Sequence, residues 1–106
     1  TKLTVQWERP LSYRAGQFAR LELDALPGVV RNYSYACAPR ADDSVDFFVR
    51  RVSGGAFSNF IRDYELVGSS LSAEGPLGDF HWRDGDRPVL LLAGGSGLAP
   101  LLAMLE

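Results

Sequence analysis

Residues 31 to 39 read RNYSYACAP, and they set a guanidinium, two phenols and a hydroxyl into an otherwise apolar neighbourhood. Arg31, Tyr33 and Ser34 lie within four residues of one another, close enough to share a target, and the rest of the chain has to supply it. A second constellation, Gly54-Gly55-Ala56-Phe57-Ser58, places two glycines and a hydroxyl at the start of a short helical pattern. Unpaired backbone N–H groups and the positive end of the helix dipole can hold a phosphate there, with Ser58 as an added donor. The same five residues also read as a hairpin turn followed by a helix cap. Arg50, at the end of the preceding strand pattern, favours the anion because it can share it.

The third constellation is GGSGLAP, residues 94 to 100. Gly95, Ser96 and Gly97 match the first part of G-x-G-x-x-G, and the third glycine is missing, so the dinucleotide fingerprint is incomplete. It is not a Walker A loop, which ends in Lys-Ser/Thr. A glycine-rich turn between strand and helix is the plain alternative; free N–H groups after a fully apolar strand are what a dinucleotide needs.

The remaining chemistry-bearing residues read as structural. His81 has no second His or Cys at ligand spacing, and Cys37 sits in an apolar run. Trp7 and Trp82 read as core packing, and Asp42-Asp43, Asp84 and Asp86 as turn residues. No Ser/His/Asp arrangement and no metal-ligand cluster emerges.

The elements that must position these groups follow from periodicity. Leu3, Val5 and Trp7 alternate with polar residues, as do Ala19, Leu21 and Leu23, and a third strand starts near Val30 after the Pro27-Gly28 turn. A fourth carries Val45, Phe47 and Val49 on one face and Asp46, Phe48 and Arg50 on the other. Ser58 to Tyr64 is a short capped helix, Val67 to Ala73 a fifth strand, and Gly75-Pro76-Leu77-Gly78 a turn. The pattern predicts a mainly β fold, an antiparallel barrel with one short helix, over residues 1–86. Residues 87–106 follow a different pattern. VLLLA is a continuous apolar run, as in a parallel strand covered on both faces, and LAPLLAMLE starts a helix whose first turn accepts Pro100. They read as the first strand and helix of an incomplete α/β nucleotide-binding domain.

Composition excludes several classes. The chain has 106 residues, 46% apolar and 23% charged, the size of one ordinary domain. A net charge of -2 and no basic run argue against nucleic acid and anionic membrane partners. The uncharged stretch from Pro88 to Leu105 is broken by GGSG and Pro100, which argues against a membrane span. One cysteine supports neither a disulfide nor an iron–sulfur cluster and fits a reducing, cytoplasmic setting. The chain opens at Thr1 already in a strand pattern, so it reads as a fragment that lacks its first barrel strand.

Five motifs in one order resemble the ferredoxin-NADP reductase family. They are Arg-x-Tyr-Ser at 31 to 34, Phe-Val-Arg at 48 to 50, Gly-Gly-x-x-Ser at 54 to 58, Gly-Pro-x-Gly-x-Phe at 75 to 80 and Gly-Gly-x-Gly-x-x-Pro at 94 to 100. Ala15-Gly16-Gln17-Phe18 before the second strand adds to them. The resemblance implies an FAD-binding Greek-key barrel followed by a pyridine-nucleotide domain. It assigns Arg31 to the FAD pyrophosphate, Tyr33 to the isoalloxazine face and Ser34 to the flavin N5 edge, the last two as catalytic residues. Phe48, Val49 and Arg50 would run along the flavin or its ribityl-phosphate tail. Gly55, Ala56, Phe57 and Ser58 would cradle the pyrophosphate, and Gly95, Ser96 and Gly97 would form the nucleotide-side loop.

The implied activity is electron transfer from NADH or NADPH through FAD to an iron–sulfur or oxygenase partner, most like the reductase components of bacterial multicomponent oxygenases. The [2Fe-2S] cluster of such systems would belong to a ferredoxin domain or partner outside this chain, which alone would not be competent. Two other readings stand beside it: a small non-catalytic β-barrel interaction module, and an electron-transfer subunit of the dihydroorotate-dehydrogenase or flavohaemoglobin type.

Overall fold

The computed structural model describes residues 2–50, 54–63, 67–81, 85, 87–88, 90–94 and 97–106, with Arg62 and Asp63 described by backbone alone. Five strands and two helices follow in the order β1 (Lys2–Gln6), β2 (Phe18–Leu23), β3 (Val30–Ser34), β4 (Ser44–Phe48), α1 (Ala56–Asp63), β5 (Leu71–Leu77) and α2 (Leu98–Leu105). β1 pairs antiparallel with β4, Lys2 opposite Phe48 and Gln6 opposite Ser44. β2 is the centre of a second antiparallel sheet, with β3 on one side and β5 on the other. Among the described residues one isolated bridge, between Tyr35 and Phe47, joins the two sheets. Among the described residues no ladder links β5 to β1, so two joined sheets are seen, and closure of the barrel that the sequence pattern predicts is not.

The alternation that predicts β1, β2 and β4 sets which of their faces packs inward, most completely in β2 and β4. Ala19, Leu21 and Leu23 of β2 and Val45 and Phe47 of β4 are buried, together with Tyr35, Cys37 and Val49. Phe57 and Ile61 of α1 join the same core. The turn before β4 is set by Asp42, whose Oδ1 accepts bonds from the backbone N (3.0 Å) and hydroxyl (2.8 Å) of Ser44. Asp43 there takes a positive φ of 59°, which an aspartate tolerates.

Three local expectations change. Asp46, on the outward face of β4 by alternation, is buried, because Arg40 grips its carboxylate through two bonds of 3.2 and 2.7 Å and Thr4 Oγ1 donates a third at 2.7 Å. β5 begins at Leu71 rather than Val67 and runs through Gly75-Pro76-Leu77, so those residues are strand and not turn. Phe18 faces Leu77 while Arg20 faces Glu74, so a bulge of one residue absorbs the Gly75–Pro76 step, and β5 tolerates proline as the outer strand of its sheet. α1 starts at Ala56, not Ser58; Gly55 O accepts Asn59 N at 3.0 Å, which puts Ser58 inside the first turn instead of at its cap.

The apolar run after Pro88 is described except for Val89. Leu90 and Leu92 are both 80% exposed and lie in no ladder, because a parallel strand is buried by neighbours in its own sheet and the described residues include none beside it. α2 does form, with Gly97 at its N-cap and Pro100 in the first turn, and it buries Ala99, Leu101 and Ala103. No described helix is long and apolar enough to cross a membrane.

Candidate functional site

β3 presents the opening motif in a definite geometry. Its register sets Arg31 opposite Leu21 and Tyr33 opposite Ala19, so these two side chains share one face, while Ser34 stands opposite Phe18 on the other. The Arg31 guanidinium is exposed and donates to its own neighbour's carbonyl, Val30 O, at 2.8 Å. Tyr33 is half-buried, its ring centroid 5.3 Å from that of Phe57 and tilted by 40°. Burial pushes the Tyr33 phenol above its ordinary range, and the nearby Arg31 charge pulls the other way. Strand β3 and the first turn of α1 are thereby in contact through Tyr33 and Phe57.

At that turn Gly54 takes φ 75°, a conformation that side-chain-bearing residues rarely adopt. Ala56 is exposed at the head of α1, Phe57 is buried against Tyr33, and the buried Ser58 donates to Gly55 O at 3.5 Å. Phe48 closes β4 at 36% exposure, Val49 points into the core, and Arg50 beyond it is exposed. An exposed cation and ring face on β3, a left-handed glycine and a helix start on α1 make a surface able to take an elongated anionic ligand with a flat end. The residues present therefore fit FAD.

Gly97 stands at the head of α2. Its N–H donates to Gly94 O at 3.2 Å, and the helix it starts lies at the far end of the 31–39 stretch, where Glu106 accepts Ala38 N at 2.7 Å. Gly95 and Ser96 lie outside the described residues.

Sequence reasoning assigns no role to Gln17, which ties this stretch together. Its carbonyl accepts Tyr35 N at 3.1 Å, its Oε1 accepts Arg14 N at 2.8 Å and its Nε2 donates to Gly78 O at 2.8 Å. The one signal in the sequence is an amide next to a glycine immediately before a strand. Tyr13 carries no signal at all; it stacks on Tyr35 at 4.0 Å and donates to Cys37 O at 2.6 Å, which only the fold reveals. His81 contacts Arg14 Nη1 at 3.4 Å, and Trp7 packs against the core, while Trp82, Asp84 and Asp86 are outside the described residues.

Two antiparallel sheets with this motif order define an FAD-binding oxidoreductase domain, and residues 2–82 match the family model described as the oxidoreductase FAD-binding domain. The chain belongs to that family, within the ferredoxin-reductase class. It is 44% identical over 98 residues to the toluate 1,2-dioxygenase electron transfer component of Pseudomonas putida, covering 91% of this chain and 28% of that protein. It is 38% identical over 101 residues to the anthranilate 1,2-dioxygenase electron transfer component of Acinetobacter baylyi, covering 95% of this chain and 29% of that protein. A solved ferredoxin reductase in carbazole 1,9a-dioxygenase superposes with a TM-score of 0.92 at 35% identity, over 97% of this chain and 32% of that one. The chain thus spans less than a third of the length of these relatives.

Proposed function

We propose that this chain is the FAD-holding part of a NAD(P)H-dependent reductase that delivers electrons to an oxygenase or its ferredoxin. The observation that carries the reading is the shared face of Arg31 and Tyr33 on β3, with Tyr33 against Phe57 in the first turn of α1. FAD, when bound, supplies hydride acceptance and the release of electrons one at a time. The protein binds, orients and shields it.

Arg31 meets the pyrophosphate, where a delocalised cation gains two charge-assisted bonds in place of its contact with Val30 O. Backbone N–H groups at Gly55, Ala56 and Phe57 add donors at the head of α1, with Arg50 as a second cation beside them. Tyr33 would lay its ring along the flavin. Ser34, at the end of β3, would donate its hydroxyl proton at the flavin N5 edge. Phe48 and Val49 line the tail. Residues 87–106 open the nucleotide-binding unit, whose loop at Gly95, Ser96 and Gly97 admits the nicotinamide dinucleotide. The iron–sulfur cluster belongs to a separate domain or partner.

The test is the flavin content of the purified full-length protein. A yellow protein with one FAD per chain, whose flavin fluorescence and affinity change in Tyr33→Ala, supports the assignment. A colourless protein that takes up no FAD on incubation while keeping its fold rejects it in favour of an interaction module.

A further inference from the structure

The stretch that begins with Arg31 is tied down at its far end by three different elements. Tyr35 N donates to Gln17 O in the loop before β2, Ala36 N donates to Asp46 O of β4 at 2.8 Å, and Ala38 N donates to Glu106 Oε2 at the end of α2. The last bond is the outlying one, because α2 follows the glycine loop and belongs to the part of the chain beyond the two sheets. A second contact runs parallel to it. Gly16, at φ 110°, lies so close to Phe80 and α2 that a side-chain carbon there would overlap the Phe80 carbonyl and sit 2.7 Å from Met104 Cε. The final turn of α2 is therefore seated twice, by Met104 over Gly16 and by Glu106 on Ala38, on either side of a cleft of about 430 Å³ that Arg14 and His81 also line.

We infer that Glu106 is a positioning residue: by accepting the Ala38 N–H it fixes α2, and with it Gly97 at the other end of the helix, relative to Ser34 at the end of β3. The inference rests on the flavin reading above and adds how the nucleotide side is held against the flavin side. Glu106 is suited to this because its carboxylate takes a charge-assisted bond, stronger than a neutral one. The guanidinium of Arg40, already committed to Asp46, lies near enough to feel the Glu106 charge as well. Geometry gives the leverage. The helix from Gly97 to Glu106 is about 13 Å long at 1.5 Å per residue, so a tilt of about 10° about its last turn moves Gly97 by about 2 Å. Displacements of that size in a positioned reactant are enough to slow a transfer step by about tenfold or more.

The experiment compares full-length wild type with Glu106→Ala and Glu106→Gln, the second keeping an acceptor oxygen. Three quantities are read: FAD per chain, amide hydrogen exchange at Ala38, and the rate of flavin reduction by NADH or NADPH in stopped flow. The inference predicts unchanged FAD content in all three proteins. In Glu106→Ala it predicts faster exchange at Ala38 and flavin reduction slowed by about tenfold, with reduction by dithionite unaffected; Glu106→Gln, which keeps a weaker neutral acceptor, restores most of both. Faster exchange with a wild-type reduction rate overturns the inference and leaves the flavin reading standing. Slower reduction that Glu106→Gln does not restore also overturns it. A wild-type protein without FAD overturns the flavin reading, and this inference with it.

Discussion

Removing the hydroxyl of Tyr35 should stabilise the fold, and removing the same atom from its stacking partner Tyr13 should weaken it. Tyr35 is fully buried, and its Oη has no hydrogen-bond partner among the described residues. It is crowded by the bare backbone of Gly75, where an added Cβ would lie 2.6 Å from that oxygen. A buried hydroxyl left unpaired costs about 1–3 kcal/mol of lost hydration, so Tyr35→Phe recovers part of it, about 1 kcal/mol after allowing for the small void. Tyr13, whose ring stacks on that of Tyr35 at 4.0 Å, donates its hydroxyl to Cys37 O at 2.6 Å, so Tyr13→Phe leaves a buried carbonyl unpaired and loses about 1–2 kcal/mol.

The two variants should thus differ by about 2–3 kcal/mol, which for a domain of this size separates their melting temperatures by about 10 °C or more. Urea and thermal unfolding read this directly. The sign with pH follows from the same burial, which pushes the Tyr35 phenol up to about 12. A group whose folded value is raised contributes its full stability below the unfolded value of about 10 and loses it as pH rises through the folded one. Wild type should therefore lose stability between about pH 10 and 12 in part through Tyr35, and Tyr35→Phe should lose less over that window. A Tyr35→Phe variant less stable than wild type, or one with an unchanged alkaline limb, would refute the reasoning.

Three further outcomes follow from other contacts. Arg40, through its paired bonds, holds the Asp46 carboxyl below the usual range, so the stability of that cluster is present above about pH 4 and fades as pH falls; Asp46→Asn should cost about 1–2 kcal/mol at neutral pH, discounted for the part-exposed Arg40, and flatten the acid limb of a urea series. Gly16→Ala places a methyl group against the Phe80 carbonyl and Met104 at a positive φ, and should lower the unfolding free energy by about 2 kcal/mol or more, measured in urea. Ser34→Ala should slow flavin reduction in the full-length enzyme more than it weakens FAD binding, and equal reduction rates would reject the N5 role.

How far the sequence carries depends on which neighbours decide each element. β1, β2 and β4 are readable because alternation is enforced when one face packs on a core, β3 because the Pro27-Gly28 turn marks its start, and Asp42-Asp43-Ser44 because aspartate makes its own turn. β5 is misplaced by sequence because Gly-Pro is turn chemistry almost everywhere except on an outer strand with a bulge, and only the sheet order shows that β5 is such a strand. Asp46 keeps to the outward face but is buried there because a cation across the turn and a threonine from β1 cover it, a pairing with no local signature. Among the site residues, Arg31 and Tyr33 share one face and Tyr33 meets Phe57, since strand alternation and a helix start are local properties. Gln17 and Glu106 act through contacts to residues 18 and 68 positions away in sequence, Tyr35 and Ala38, which no window of the chain displays.

The most direct test of the account is the dissociation constant for FAD of full-length wild type and Arg31→Ala, measured by flavin fluorescence or calorimetry at fixed salt. A charge-assisted pair between a guanidinium and a pyrophosphate predicts binding weakened by about tenfold to a hundredfold, with melting of the FAD-free protein unchanged because Arg31 is exposed and its guanidinium donates to the adjacent Val30 carbonyl. Equal affinity in the two proteins, or no FAD binding by either, would contradict the claim that β3 and α1 form a flavin site.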